Sequence, residues 1–579
     1  MKRWALRPFA SAVVRAAHYA RRRWALLAFV AILTGYRATQ WGHFAVPAPD
    51  FFDFEDAAQA LAHGHLPAQF QRAPLYPALI AIFTPLAGGA RPALAAAQGL
   101  NLALSAAALV LMYELCALFV GRMALLVVML SGLHWTMAYV TVHPLCEPAL
   151  LAAIVAALYL DASGRRGKYV AAGLAAATRY EGLFLIGALA LGDVWRRRDV
   201  ARAALAAGIA AAPAGAWLVI GLLSTPNPYA QVIASQTPAG SEFLRSMAMS
   251  AIGALPVQVL YGALAGSLAA GAVAVTTSAA MAALTVLGAR RLLQSHRDSA
   301  APLLLFGGAY TAIHLVYAAA NTRFTLPVLW LVQMLALMGV IDIAQWARAR
   351  WRASKPWHFA MAGLIPPAAG AGAIWAARYD PLWVALLSAP VALGLTCGKR
   401  PISARALVAG VPLVAFLAAG ALGLGGWYLD RESRWWAELT PAARWCDEQR
   451  SEPVRLAATR PVMTLLREIC PRPRVRFYDL AHLDARDLGA AALPPDVTHL
   501  LWCSTDTPAP DQRPPLLLSH RYADERERLL PTGRWFARRV ARGAPGWRVC
   551  ARFEARGQEA VIYARDETRQ ARASAEVER

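Results

Sequence analysis

Long apolar segments follow one another between residues 20 and 427 and are separated by short polar stretches. Most of them are close to the length of about 17–25 residues with which an α-helix crosses the hydrocarbon core of a bilayer. The pattern predicts a transmembrane domain over residues 1–427 with about thirteen helices. They are placed at 20–41, 92–119, 123–141, 149–163, 169–178, 181–194, 203–223, 267–288, 302–319, 326–344, 358–377, 382–397 and 405–427.

A different pattern begins after residue 427, where apolar runs become short and alternate with charged residues. Residues 428–565 predict a separate α/β domain, and residues 566–579, rich in charge and alanine, predict a disordered tail. We expect helices at Leu439–Glu448 and Val462–Ile469, and strands at Val454–Ala458, Val475–Tyr478, Thr498–Cys503, Trp547–Phe553 and Ala560–Ala564.

The cysteines of this second domain leave two possibilities open. Cys446, Cys470, Cys503 and Cys550 lack the CxxC spacing of zinc sites. They are compatible with one or two disulfides in an extracytoplasmic domain and equally with four buried thiols.

Composition narrows the class of protein. Hydrophobic residues make up 58% of the 579 residues and charged residues only 16%, whereas soluble chains have about 45–50% apolar and about 25% charged residues. A soluble enzyme and a disordered chain are therefore both excluded. The chain is expected to be a multi-pass membrane protein.

The net charge of +22 indicates how the helices are oriented in the membrane more than it indicates a binding partner. Residues 1–426 hold 32 basic and 14 acidic side chains, and the basic ones cluster in short loops between apolar runs. This positive-inside pattern predicts a cytoplasmic N-terminus. The loops 42–91, 142–148, 224–266 and 320–325 and the domain from residue 428 then lie outside. The sequence has no basic face with supporting motifs, so it does not predict a nucleic-acid partner.

The balance of basic residues also suggests the source. Only four of the 58 basic residues are lysines, and alanine is abundant. This bias is typical of a GC-rich bacterial genome, and it predicts the bacterial inner (cytoplasmic) membrane as the location.

Acidic residues are scarce among the apolar segments, so their positions carry information. Asp50, Asp53, Glu55 and Asp56 lie within seven residues of the first outer loop. One interpretation is that they only begin a short amphipathic helix, since acidic side chains are favourable at helix N-termini. The other is that a carboxylate at the membrane surface acts as a general base or binds a cation.

Further polar residues fall on the same predicted side of the membrane. Individually they have structural explanations, as helix caps or as side chains that extend to the interface. Together they suggest an outward-facing cavity with carboxylates and arginines, which suits a phosphate-bearing substrate. The candidate substrate-binding residues are Arg72, Tyr76, His143, Glu147, Arg179, Glu181 and Arg323.

Four segments in this order resemble the polytopic GT-C glycosyltransferases, which include protein mannosyltransferases and the lipid A aminoarabinose transferase. The segments are the first-loop acids with ALAHG and RAPLYPALIAI, then EPALLAAIVAALYL, then GLAAATRYEGLFLI, and then NTRFTLPVLWLV. The resemblance assigns the catalytic aspartate to Asp50, with Asp53 as the close rival. It matches Glu147 to the glutamate of a Ser-Glu-Pro-like motif, in which Cys146 replaces the usual residue.

The same resemblance implies the reaction. Such enzymes transfer a sugar from a polyprenyl-phosphate donor to an acceptor hydroxyl on the outer face of the membrane, by a single inverting displacement with an aspartate as base. The acceptor is a glycan, lipid or protein. No nucleotide-binding motif is present, no cofactor is certain, and a divalent cation held by Glu147 and His143 is possible. The alternative is a transporter or flippase of lipid-linked saccharides.

Overall fold

The structure is a computed structural model of the whole chain. The residues described are 2–41, 47–67, 70, 72–89, 91–224, 268–316, 322–351, 386, 389–391, 414, 418, 437–448, 454–458, 462, 466, 476–479, 497–503, 547–555 and 558–565. The chain divides into two compact units. The first comprises Met1–Trp41 with Asp53–Tyr428, and the second Gly42–Phe52 with Leu429–Arg579.

The first unit is helical wherever it is described, apart from short connecting turns. Its helices, with α2 shared between the two units, are α1 (Lys2–Ala38), α2 (Pro49–Ala62), α3 (Leu75–Phe83), α4 (Pro92–Val120), α5 (Ala124–Leu133), α6 (Trp135–Val142), α7 (Glu147–Ala162), α8 (Lys168–Thr178), α9 (Gly182–Arg197), α10 (Val200–Ser224), α11 (Leu268–Val316) and α12 (Leu326–Trp351). A short 3-10 helix, Thr322–Thr325, precedes α12.

Among the described residues, three helical stretches are long and apolar enough to cross a membrane, namely Pro92–Leu133, Val200–Leu223 and Arg323–Ile343. A fourth is obtained if α6 and α7, which meet at an angle of 116°, count as one broken span. The predicted spans 358–377, 382–397 and 405–427 lie almost entirely outside the described residues. The multi-pass helical character is therefore confirmed, whereas the number of thirteen stays a prediction.

The predicted span 123–141 is wrong as a single helix. It is divided at His134, whose backbone leaves the helical region with ψ 137°. Its Nδ1 accepts a hydrogen bond of 3.1 Å from the backbone N–H of Thr136, so His134 caps α6. A polar side chain that satisfies the N-terminus of a new helix explains a break that the apolar pattern hides.

As far as they are described, the predicted spans 267–288 and 302–319 lie on α11, which consists of two helical segments joined by a kink at His296, where φ is −143° and ψ 45°. The kink lies between the two predicted spans. Helices α11 and α12 approach each other closely because Gly288 and Gly339 lie between them. A Cβ atom at Gly288 would collide with the carbonyl oxygen of Leu335, and one at Gly339 with that of Leu284.

Helices α7, α8 and α9 are joined by charged side chains at one end. Lys168 Nζ lies 2.7 Å from Asp161 Oδ1 and 2.6 Å from Asp193 Oδ1. Arg196 Nη2 lies 2.6 Å from the same Asp161 oxygen. The opposite ends of these three helices carry Glu147, Arg179 and Glu181. Since α7 has 16 residues, about 24 Å separates its two ends at 1.5 Å per residue.

The second unit contains a mixed five-stranded sheet in the order β2-β1-β3-β5-β4. β1 pairs in parallel with both β2 and β3, whereas β5 is antiparallel to β3 and β4. The strands are β1 (Arg455–Ala458), β2 (Arg476–Asp479), β3 (His499–Cys503), β4 (Trp547–Ala555) and β5 (Gln558–Arg565).

All five predicted strands and the helix α13 (Leu439–Glu448) are confirmed. The predicted helix 462–469 is described only at Val462 and Leu466, and 566–579 lies outside the described residues. Cys446 and Cys503 are buried and Cys550 is exposed, and no disulfide is described among these three residues.

Candidate functional site

Helix α2 carries the first-loop acids on its N-terminal half. Asp50 lies in its first turn and Asp53 one turn later. Asp53 Oδ2 accepts two hydrogen bonds from Arg72, at 3.0 Å from Nε and 2.7 Å from Nη2. The guanidinium of Arg72 also lies 5.2 Å from the centre of the Phe54 ring. Asp53 therefore holds Arg72 in one orientation, which the sequence did not indicate.

Glu55 and Asp56 differ from these two acids. Glu55 pairs with Arg91 at 3.2 Å, which connects α2 to the residue that precedes α4, whereas Asp56 is exposed. Burial raises the pKa of Glu55, and the attraction of Arg91 opposes that shift without cancelling it. Glu55 thus connects α2 to the start of α4, a contact that the sequence did not predict.

The turn between α6 and α7 is held by Asn101 of α4, a residue that sequence reasoning missed. Its Nδ2 lies 2.8–2.9 Å from the carbonyl oxygens of Val140, His143 and Leu145. Its Oδ1 accepts a hydrogen bond of 2.8 Å from the hydroxyl of Tyr76. Both side chains are fully buried, so this network fixes the turn from which Glu147 begins α7.

Glu147 lies at the centre of a buried ion cluster. Its Oε1 accepts a hydrogen bond of 2.9 Å from Arg179 Nη1 and lies 3.5 Å from Arg323 Nε. Arg179 also donates two hydrogen bonds to Glu181 from one edge of its guanidinium, 2.8 Å from Nη2 and 3.3 Å from Nε. Glu147 is 1% exposed, and its Oε2 has no hydrogen-bond partner among the described residues.

An aromatic ring completes the cluster. The guanidinium carbons of Arg179 and Arg323 lie 4.8 Å and 5.1 Å from the centre of the Phe324 ring. Its centre is also 5.6 Å from that of His314. Cation–π contacts of this kind stabilise a guanidinium most where water is excluded. The TRF sequence before α12 contains Phe324, but sequence reasoning selected only Arg323.

The turn that carries Arg179 is positioned by tertiary contacts. Arg179 is extended, with φ −151° and ψ 141°, and ends α8. The hydroxyl of Tyr180 donates to the carbonyl oxygen of Phe70 at 3.0 Å, and Trp217 Nε1 donates to the carbonyl oxygen of Arg72 at 3.0 Å. These bonds connect the Arg72 loop to the Arg179 turn and to α10.

The structure brings most of the predicted substrate-binding residues into one region. The guanidinium groups of Arg72, Arg179 and Arg323 all lie within electrostatic range of the Cys146 thiol, which precedes Glu147. His143 contributes its carbonyl oxygen to Asn101, and its ring lies 4.5 Å from that of Tyr139. Tyr76 contacts Asn101 rather than the charged groups.

A metal site is not formed by the residues that the structure describes. They contain no group of three or more His, Cys, Asp and Glu side chains placed to hold an ion. Among the described residues, Glu147 Oε1 is paired with two arginines.

The helical arrangement is that of a polytopic membrane protein with the GT-C fold, as the likeness to solved structures shows. Two crystal structures of ArnT from Cupriavidus metallidurans have this fold, one bound to undecaprenyl phosphate and one in the apo state. Each superposes with a TM-score of 0.50, at 14% and 15% identity. The matches cover 93% and 94% of this chain and 98% of each ArnT chain. At this identity the likeness establishes the fold.

A third solved structure is the Archaeoglobus fulgidus oligosaccharyltransferase tethered with an acceptor peptide. It matches with a TM-score of 0.46 at 11% identity, covering 84% of this chain and 70% of its own. No argument depends on this weaker likeness. No protein-family model and no curated protein matches the sequence.

The Arg179 turn predicts a strict requirement for glycine at position 182. A Cβ atom there would collide with the backbone of Ala175 and Ala176 in α8, whereas one at Gly187, on the same helix, would meet nothing. We expect Gly182→Ala to destabilise the protein by about 2–3 kcal/mol and Gly187→Ala to leave it unchanged or slightly more stable. Thermal unfolding in detergent measures both, and equal melting temperatures would contradict this packing.

The raised pKa of Glu55 predicts an unusual pH dependence. Because the folded state binds a proton at Glu55 more readily than the unfolded state, this residue contributes more stability as the pH falls from 7 towards 4.5. Glu55→Gln should therefore cost little at pH 7, and wild type should gain stability relative to this variant at lower pH. Thermal melts of both proteins across this range test the sign. A variant that loses most stability at pH 7 and least at pH 5 would contradict it.

Proposed function

We propose that the protein is an integral membrane glycosyltransferase. It transfers a sugar from a polyprenyl-phosphate donor to an acceptor hydroxyl on the outer face of the bacterial inner membrane. The observation that carries the proposal is the meeting of Arg179 and Arg323, from separate segments, at buried Glu147, with Arg72 of a third segment held by Asp53. The fold adds support, because an ArnT structure with the same fold is bound to undecaprenyl phosphate.

The arginines suit a lipid phosphate better than a neutral saccharide. A guanidinium binds phosphate oxygens by paired, charge-assisted hydrogen bonds, and it keeps its charge when buried. Arg72 and Arg179 are each oriented by carboxylates. The site is thus assembled before a donor arrives, and a phosphate would share donors that are already in position.

The pairing of Asp53 with Arg72 supports a choice between the two candidate bases. Asp53 receives both hydrogen bonds of Arg72 on one oxygen, so its charge already serves to orient that arginine. We assign the role of general base to Asp50, one helical turn earlier in α2, and that of positioning residue to Asp53. This assignment agrees with the one that the family resemblance favours.

The proposed reaction is a single displacement. The acceptor oxygen forms a bond to the anomeric carbon while its proton passes to the Asp50 carboxylate. The bond from that carbon to the phosphate oxygen breaks, and its electron pair leaves with the polyprenyl phosphate. Attack from the opposite face inverts the anomeric centre. The arginines stabilise the charge of the departing phosphate.

Neutralising the acids of α2 tests these roles. We expect Asp50→Asn to lower the rate of sugar transfer by about 100- to 10,000-fold, because the proton acceptor is lost. Asp53→Asn should weaken donor use mainly through a raised KM, since Arg72 loses its orientation. The measurement is transfer of labelled sugar from a polyprenyl-phosphate donor in membranes that contain each variant.

Asp56→Asn provides the matched control, because Asp56 is an exposed acid on the same helix. It should transfer sugar at the wild-type rate. Wild-type rates in both Asp50→Asn and Asp53→Asn would refute the carboxylate-base proposal. Membranes in which lipid-linked saccharide crosses the bilayer without transfer would instead favour a flippase.

A further inference from the structure

Arg37, near the end of α1, is a buried cation for which the proposed reaction has no role. Its side chain is 3% exposed. Its Nη1 donates a hydrogen bond of 2.9 Å to the amide oxygen of Gln40. Its Nη2 has no hydrogen-bond partner among the described residues.

The charge of Arg37 is not balanced by a carboxylate in the described part of the chain. Every other arginine discussed above has an acidic partner, as Arg23 has Glu114 at 2.8 Å, whereas no ion pair is described for Arg37. A guanidinium does not escape burial by losing its proton. An isolated buried charge is therefore destabilising unless a counter-charge lies next to it.

A small pocket lies beside this side chain, between α1, α4 and the α5–α6 segment. Arg37 lines it together with Thr34, Ser105 and Thr141, and the rest of the lining is mainly apolar. The space that remains between the side chains is about that of one water molecule. A phosphate group is too large for it, whereas a single halide ion is close to the right size.

The hydroxyl groups offer a second donor. Ser105 Oγ and Thr141 Oγ1 are 2.9 Å apart, and Thr141 Oγ1 donates to the carbonyl oxygen of Met137 at 2.6 Å. Ser105 is therefore the donor of that pair. Rotation about its C–O bond exchanges the bond to Thr141 for one to an ion in the pocket.

We propose that this pocket is a binding site for a small monovalent anion of the halide class, chloride in the cell, held by Arg37 and Ser105. A water molecule would satisfy the unpaired N–H but leave the charge uncompensated. The site borders the turn that Asn101 organises, since Ser105 is one helical turn from Asn101 and Thr141 lies in α6. Bound anion should thus stabilise the fold. The inference is independent of the proposed glycosyl transfer.

The test is thermal unfolding of the full-length protein in detergent, in sodium chloride or sodium gluconate of equal ionic strength. We expect the melting temperature of wild type to rise with chloride in a saturable manner, by about 2–4 °C. Bromide should act in the same way, and gluconate, which is too large, should not. An equal melting temperature in chloride and gluconate would show that the pocket holds water and would overturn the proposal.

Two variants locate the effect. Arg37→Met should abolish the difference between chloride and gluconate, and Ser105→Ala should shift its midpoint to a higher chloride concentration. Arg23→Met, which removes a carboxylate-paired arginine of the same helix, should retain the difference. A difference that persists in Arg37→Met would identify a general salt effect and refute the site. If Arg37→Met does not fold, the midpoint in Ser105→Ala decides between the same two outcomes.

Discussion

The arrangement of the first unit depends on one constraint, which is that charges among apolar helices must be paired. Glu147 has almost no contact with solvent, and its carboxylate is tolerable only because Arg179 and Arg323 approach it. Removing either partner would leave a buried charge, which is far costlier than removing both. The pairs thus select one packing of α7, α8, α9 and the segment before α12.

The same rule holds at both ends of these helices, but the two ends differ in what carries the charges. At the far end of α7, α8 and α9, Asp161 and Asp193 share Lys168 and Arg196. That cluster is electrically balanced, with two acids and two bases. At the near end the charges lie on turns and on the 3-10 helix before α12, where backbone and side chains can be placed around a ligand. One end therefore holds the helices together, while the other carries the candidate site.

Much of the fold can be predicted because the pattern of apolar and polar residues along the sequence is clear. The strands of the second unit are short, mostly apolar runs between charged stretches, and the apolar helices are long, so both types of element are largely predicted near their observed bounds. The break at His134 was missed because one polar residue in an apolar run gives no periodic signal. Its cause is a local hydrogen bond to Thr136.

The site was only partly predictable for a similar reason. A charged residue in apolar surroundings costs so much free energy that its presence alone suggests a function. Glu147, Arg179 and Arg323 were selected for this reason. Asn101 is neutral and sits within a helix, and its role arises from carbonyl groups about forty residues away. Likewise, the partnership of Asp53 with Arg72 depends on how a loop folds back. No sequence spacing encodes these contacts.

A double-mutant cycle on Glu147 and Arg179 tests the central claim most directly. The free energy of unfolding is measured for wild type, Glu147→Gln, Arg179→Met and the double variant. If buried pairing organises the site, each single variant loses about 3–5 kcal/mol, and the double variant loses clearly less than the sum of the two. Losses that simply add would show that the two side chains act independently, and would contradict the account.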